Sequence, residues 1–186
     1  MNYYRLIDEL YIPSQRWFLG SVNFDKEFDF WKYVSTGDVE IPKKELIINI
    51  REKGIPLNFT MADFELLIVD EKTLQLFKKD EVMSIPVRIE GKENNLQYYI
   101  LVIKDALDCV DEEKSVFDKW QIGSSIRPDK EGQFKFISKL VINRASVIGK
   151  ELFRVKGFNV IIVINEELKN KFETNKITGI SFIKLE

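Results

Sequence analysis

Five carboxylates crowd one short stretch of the chain: Asp105, Asp108, Asp111, Glu112 and Glu113. Hard cations such as magnesium or calcium need clustered oxygen ligands, and carboxylates three residues apart converge when the segment is helical. The spacing is not that of an EF-hand, and the glycine such a loop requires at its turn is missing. A magnesium or manganese ion held here would permit carboxylate-based hydrolysis or group transfer. A plain solvated acidic loop is a second reading. A third is a face that steers and selects a basic partner, since interfacial charge sets encounter rate and specificity. The working expectation is that the five residues form part of a partner-binding surface, with no metal and no cofactor.

Other reactive side chains offer less. Cys109 lies between Asp108 and Val110, outside any CxxC pair. Neighbouring carboxylates raise a thiol pKa, so Cys109 reads as a small buried residue and not a nucleophile. The chain has no histidine, which removes Ser-His-Asp and Cys-His catalysis and most zinc sites. Gly149, Gly157 and Gly179 are isolated, and neither GxGxxG nor GxxxxGK[ST] occurs, so no standard phosphate loop is present. No catalytic residues are assigned, and the chain is not expected to be an enzyme. Trp17, Trp31 and Trp120 suit either a core or an interface anchor. Lys150 and the triplet Arg154-Val155-Lys156 read as a solvated helix end or strand edge.

The elements that must position these residues are mostly strands. Extended segments are expected over Tyr3–Ile7, Leu46–Ile50 and Phe64–Val69, with a turn at Gly20 and another at Thr36-Gly37-Asp38. The apolar run Phe64–Val69 is too continuous to say which face is buried. Asp70 is placed to cap a short helix over Glu71–Lys79, where Leu74 and Phe77 share a face. Val82–Glu90 and Leu96–Lys104 read as a hairpin joined through Gly91–Asn95. Phe134–Ile142 alternates like a half-buried strand, and a short helix is expected around Ser146–Phe153. Val160–Ile164, a helix over Glu166–Thr174 capped by Asn165, and Ile180–Leu185 suggest a βαβ-like close to a mixed sheet. The fold class is α+β: a single domain over residues 1–186, with a mixed, mostly antiparallel sheet and a few short helices, in one body or two lobes.

Composition is that of an ordinary globular protein. Of 186 residues, 45% are hydrophobic and 31% charged, enough apolar surface for one good core. The 28 basic and 30 acidic residues give a formal charge of −2, which argues against nucleic acid as the main partner. A lone cysteine fits a reducing compartment. Met1-Asn2-Tyr3-Tyr4-Arg5 does not open like a signal peptide, and runs such as Val160–Ile164 are too short to span a bilayer. A soluble, cytoplasmic protein without membrane contact is expected.

Read as a whole, the chain resembles a bacterial immunity-protein family associated with polymorphic toxins, immunity protein eleven, formerly a domain of unknown function. The resemblance runs over nearly the full length. It is carried by Arg16-Trp17-Phe18-Leu19-Gly20, Pro56-Leu57-Asn58-Phe59-Thr60, Tyr99-Ile100-Leu101-Val102 and Leu107-Asp108-Cys109-Val110-Asp111. It continues with Leu152-Phe153-Arg154, the strand ending Val163-Ile164, and Ile177-Thr178-Gly179-Ile180-Ser181-Phe182. It implies a protein that binds and neutralises a cognate toxin encoded beside it, and it transfers no catalytic residues. Two alternatives stand beside it: the carboxylate-based metal enzyme above, and a structural homodimer joined at a sheet edge without a toxin partner.

Overall fold

Short runs of β-branched and aromatic residues, each closed by a polar or glycine-bearing turn, make this a chain of strands. A computed structural model describes residues 1–9, 15–25, 30–62, 65–91, 96–123 and 126–186. The first part contains β1 (Tyr3–Asp8), β2 (Phe18–Val22), α1 (Phe30–Val34), β3 (Leu46–Glu52), β4 (Phe59–Ala62) and β5 (Leu66–Asp70). Then come α2 (Glu71–Leu74), β6 (Val82–Ile89), β7 (Tyr98–Ile103), β8 (Ala106–Leu107), β9 (Val116–Lys119) and β10 (Phe134–Lys139). The chain closes with β11 (Leu152–Val155), β12 (Phe158–Asn165), α3 (Glu166–Thr174) and β13 (Ile180–Lys184). The class is α+β, as the sequence implies.

Two mixed sheets result. One has the order β2-β3-β6-β7-β5-β4, the other β13-β1-β12-β11-β8, and β9 pairs with β10 as a separate hairpin. In each large sheet one pairing is parallel, β3 with β6 and β11 with β8. The two sheets share a core: Leu67, Val69, Leu101 and Ile103 from one meet Leu6, Leu152, Ile162 and Ile164 from the other, with Phe77, Leu168 and Phe172. The far face of the first sheet buries Leu66, Ile68, Ile100 and Val102 against Trp17 and Tyr33. The far face of the second buries Ile161 and Val163 against Phe134, Ile137 and Val147. All five residues of β5 are therefore buried. The run that gave no face by pattern has none to give, because both sides are covered.

Local signals behave as their chemistry dictates. Asp70 caps α2 by accepting from the Thr73 amide at 2.9 Å, and Asn165 caps α3 through the Leu168 amide at 2.9 Å. β6 and β7 pair antiparallel. Arg16, which the sequence offered only as part of a motif, is a buried staple. Its guanidinium meets the Asp8 carboxylate at 3.1 Å and donates to the Thr60 hydroxyl at 2.9 Å. Burial pushes the Asp8 carboxyl upward, and Arg16 opposes the shift.

Several expectations need correction. Gly20 is no turn: it lies inside β2, where an added Cβ would sit 2.4 Å from Asn49 Oδ1, a close approach that glycine permits. The alternation across Phe134–Ile142 breaks, because irregularities in the β9–β10 register bury Phe134, Ile137 and Leu140 while Phe136 is exposed. A bulge moves every later side chain to the other face. The helix expected at Ser146–Phe153 is a single 3-10 turn, Arg144–Val147, followed by β11. The βαβ-like close does form, β12 and β13 running parallel on either side of α3 in sequence, with β1 inserted between them in the sheet. Phe64, and residues 92–95 of the connection expected between β6 and β7, lie outside the described residues.

Candidate functional site

The acidic run does not form a convergent cluster. It crosses β8 and a turn before β9 rather than a helix, so the spacing of three brings no carboxylates onto one face. Three of the five acids meet lysines instead. Asp105 accepts from Lys150 Nζ at 2.6 Å, Asp111 from Lys114 at 2.7 Å and Glu112 from Lys119 at 2.5 Å. The Lys114 hydrogen bond holds the Asp111 carboxyl below its ordinary range. Asp108 and Glu113 are exposed and form no ion pair with a described residue. Among the described residues, no three histidine, cysteine, aspartate or glutamate side chains come together in a way that could hold a metal ion. Cys109 is fully buried, and burial, aided by Asp108, pushes its thiol up to about 12.

A groove on the surface gathers other side chains. An open groove of about 1250 Å³ runs between the end of α1, the β7–β8 connection, the β9–β10 hairpin and the β11–β12 turn. Five stretches distant in sequence line it, Glu65 being one of them. Its lining includes Trp31 and residues 34–37, Lys104–Ala106, Trp120 with Arg127, Asp129 and Lys130, and residues 156–160. The 3-10 turn Pro128–Lys130 is fixed by an Arg127–Asp129 pair at 2.7 Å. Trp31 is 53% exposed, and Trp120 lies beneath two cations, with Arg127 at 5.9 Å and Lys135 at 5.4 Å from its ring. Of the three tryptophans, only Trp17 is core, packed against Tyr98 at 5.4 Å.

The sequence misplaces Arg154. Expected at a solvated edge, it is 1% exposed on β11. That strand lies inside its sheet, between β12 and β8, and the Arg154 side chain is buried beside Asn159 and Glu65. Its Nη1 donates to the Asn159 carbonyl, while Nε and Nη2 are buried without an acceptor among the described residues. Glu65 interacts with it electrostatically, and Glu65 Oε2 is also buried and unbonded. Both Asn159 and Glu65 line the groove, so the guanidinium lies beneath its floor. Desolvation drags the Arg154 pKa down to about 10, against the pull of Glu65. The same loss of water raises the Glu65 carboxyl.

The arrangement offers aromatic faces and charged side chains along an open trough in place of an enclosed cavity. A profile of the immunity protein family (Imm11) matches residues 74–186. The chain belongs to this family. Immunity proteins as a class act on a toxin and are in general non-enzymatic. The match takes in β6 to β13, and with them most of the groove, whereas the motifs at Arg16–Gly20 and Pro56–Thr60 lie before it. Among curated proteins none matches the chain. Among the described residues no helix is long and apolar enough to cross a membrane.

Proposed function

We propose that this Imm11 protein neutralises a cognate bacterial toxin by forming a stable protein–protein complex in the cytoplasm, with the toxin encoded next door. Membership of an immunity family over residues 74–186 is the observation that carries the reading. The surface supports it, because exposed tryptophan and arginine in a concave, partly desolvated patch are the side chains that dominate interface energetics. One folded domain over residues 1–186 is part of the proposal, supported by the core that both sheets share.

The acidic run remains a secondary candidate for the contact surface. Its ion pairs reduce the field it presents, and Asp105 is the member that also lines the groove. The carboxylate-based enzyme has no cluster of ligands among the described residues to stand on. Co-expression with the product of the neighbouring open reading frame tests the proposal. Rescue of growth, together with a nanomolar one-to-one complex by calorimetry, is the expected result. Undiminished toxicity with no heat of binding would overturn it.

A further inference from the structure

The walls of the groove differ in charge from the rest of the chain. Five cations line it (Lys104, Arg127, Lys130, Lys135 and Lys156) against three anions, whereas the whole sequence carries −2. Arg127 is paired with Asp129, and Lys104 and Lys135 make long contacts of 3.4 and 3.9 Å to Asp38 and Asp118. Lys130 and Lys156 have no ion-pair partner among the described residues. Arg154 adds a sixth positive charge from below the floor, with two of its nitrogens unbonded among the described residues. Like charges gathered in a concave site with low-dielectric walls focus the potential there, so the groove attracts anions although the molecule as a whole repels them.

We propose that the groove is where the toxin docks, and that the docked segment is acidic. It presents carboxylates to Lys130 and Lys156 and one apolar or aromatic side chain to Trp31 and Trp120. This deepens the toxin-binding reading and rests on it. It also reverses the sign of partner expected from Asp105–Glu113 alone. A polypeptide is favoured over a nucleic acid because Glu65, Asp105 and Asp129 stand in the walls. A continuous phosphate backbone would meet all three as like charges, whereas a protein segment can place neutral or basic groups opposite them. The groove also exceeds the roughly 300–1,000 Å³ usual for small-molecule sites.

The test compares two double charge reversals, Lys130→Glu with Lys156→Glu in the groove, and Lys79→Glu with Lys184→Glu outside it. Lys79 and Lys184 are exposed, so both pairs change net charge equally. Thermal melting checks that each is folded, and a Lys130→Ala, Lys156→Ala pair provides a milder perturbation of the same site. One probe is the toxin from the adjacent reading frame. The other is a six-glutamate peptide with a central phenylalanine, followed by tryptophan fluorescence. The groove reversal is expected to weaken toxin binding by about tenfold or more and to change its salt dependence, with the alanine pair intermediate and the outside pair near wild type. The peptide should quench fluorescence in the wild type and the outside pair but not in the groove reversal. Equal toxin affinity in both reversals would overturn the groove while leaving toxin binding intact. Peptide binding by a wild type that ignores the toxin would support the groove and count against the toxin reading. A uridine oligonucleotide that displaces the peptide at lower concentration than free peptide does would overturn the assignment to a polypeptide.

Discussion

Replacing Phe172 with alanine tests whether the two sheets fold as one. Phe172 is 1% exposed on α3, in the core that the sheets share. Its ring meets Phe77 edge-on at 5.4 Å and stacks over Phe182 at 6.3 Å. Phenylalanine to alanine in a packed core costs about 3–5 kcal/mol, from lost transfer energy and the cavity left behind. Two aromatic neighbours place this site near the middle or upper part of that range, about 4 kcal/mol. With a urea slope of about 2 kcal/mol/M, the midpoint should fall by about 2 M. Phe172→Leu, which keeps most of the volume, should cost less than about 1.5 kcal/mol. The assay uses a Trp31→Phe, Trp120→Phe background, so that Trp17 reports alone from the opposite face of the six-stranded sheet, and compares it with far-UV circular dichroism. If the shared core couples the sheets, both signals move together by the same amount. A Trp17 transition that stays in place while the dichroism shifts or splits would refute a single cooperative domain.

Other outcomes are equally specific. Gly179 has φ +91°, and an added Cβ would lie 1.9 Å from the Phe59 carbonyl oxygen, so Gly179→Ala should destabilise by about 2–4 kcal/mol in chemical denaturation. Glu81 is buried, and desolvation raises its carboxyl above the ordinary 4.5. The folded state therefore holds the Glu81 proton more tightly than the unfolded chain does. The resulting stabilisation is full below about pH 4.5 and is lost as pH rises through the folded value. Glu81→Gln, which can still accept from the Glu151 amide, should melt higher than wild type at pH 7 and equal to it at pH 4; the same difference at both would contradict this. Cys109 should react with a thiol reagent at pH 8 only as fast as the protein opens, with urea accelerating it; immediate labelling in buffer would place the thiol elsewhere. Replacing Asp108, Asp111 and Glu112 together with alanine tests the acidic run. A weaker complex with a flatter salt dependence is expected if it contacts the toxin, and unchanged affinity removes it from the interface.

By itself the sequence determined what acts over a few residues or counts the whole chain. The Asp70 and Asn165 caps follow from side chains that bond to amides three positions away, and the antiparallel β6–β7 pair joins neighbours in sequence, so neither needs a distant partner. The absence of histidine and the crowding of Asp108 beside Cys109 restricted the chemistry in the same direct way. Tertiary structure decided the rest. β1 inserts between β12 and β13, although 149 residues separate it from the first of them, and nothing local in Tyr3–Asp8 encodes that register. Non-local packing also encloses Arg154, whose charge reads as surface in the sequence until the fold brings Glu65, some 90 residues away, beside its buried guanidinium. Lysines that arrive from Lys114, Lys119 and Lys150 neutralise much of the acidic run. The groove gathers Trp31, Lys104, Trp120 and Lys156 from four separate stretches. Periodicity and propensity reach only as far as one element, whereas a charged aromatic trough exists only once long-range hydrophobic burial has brought those elements together.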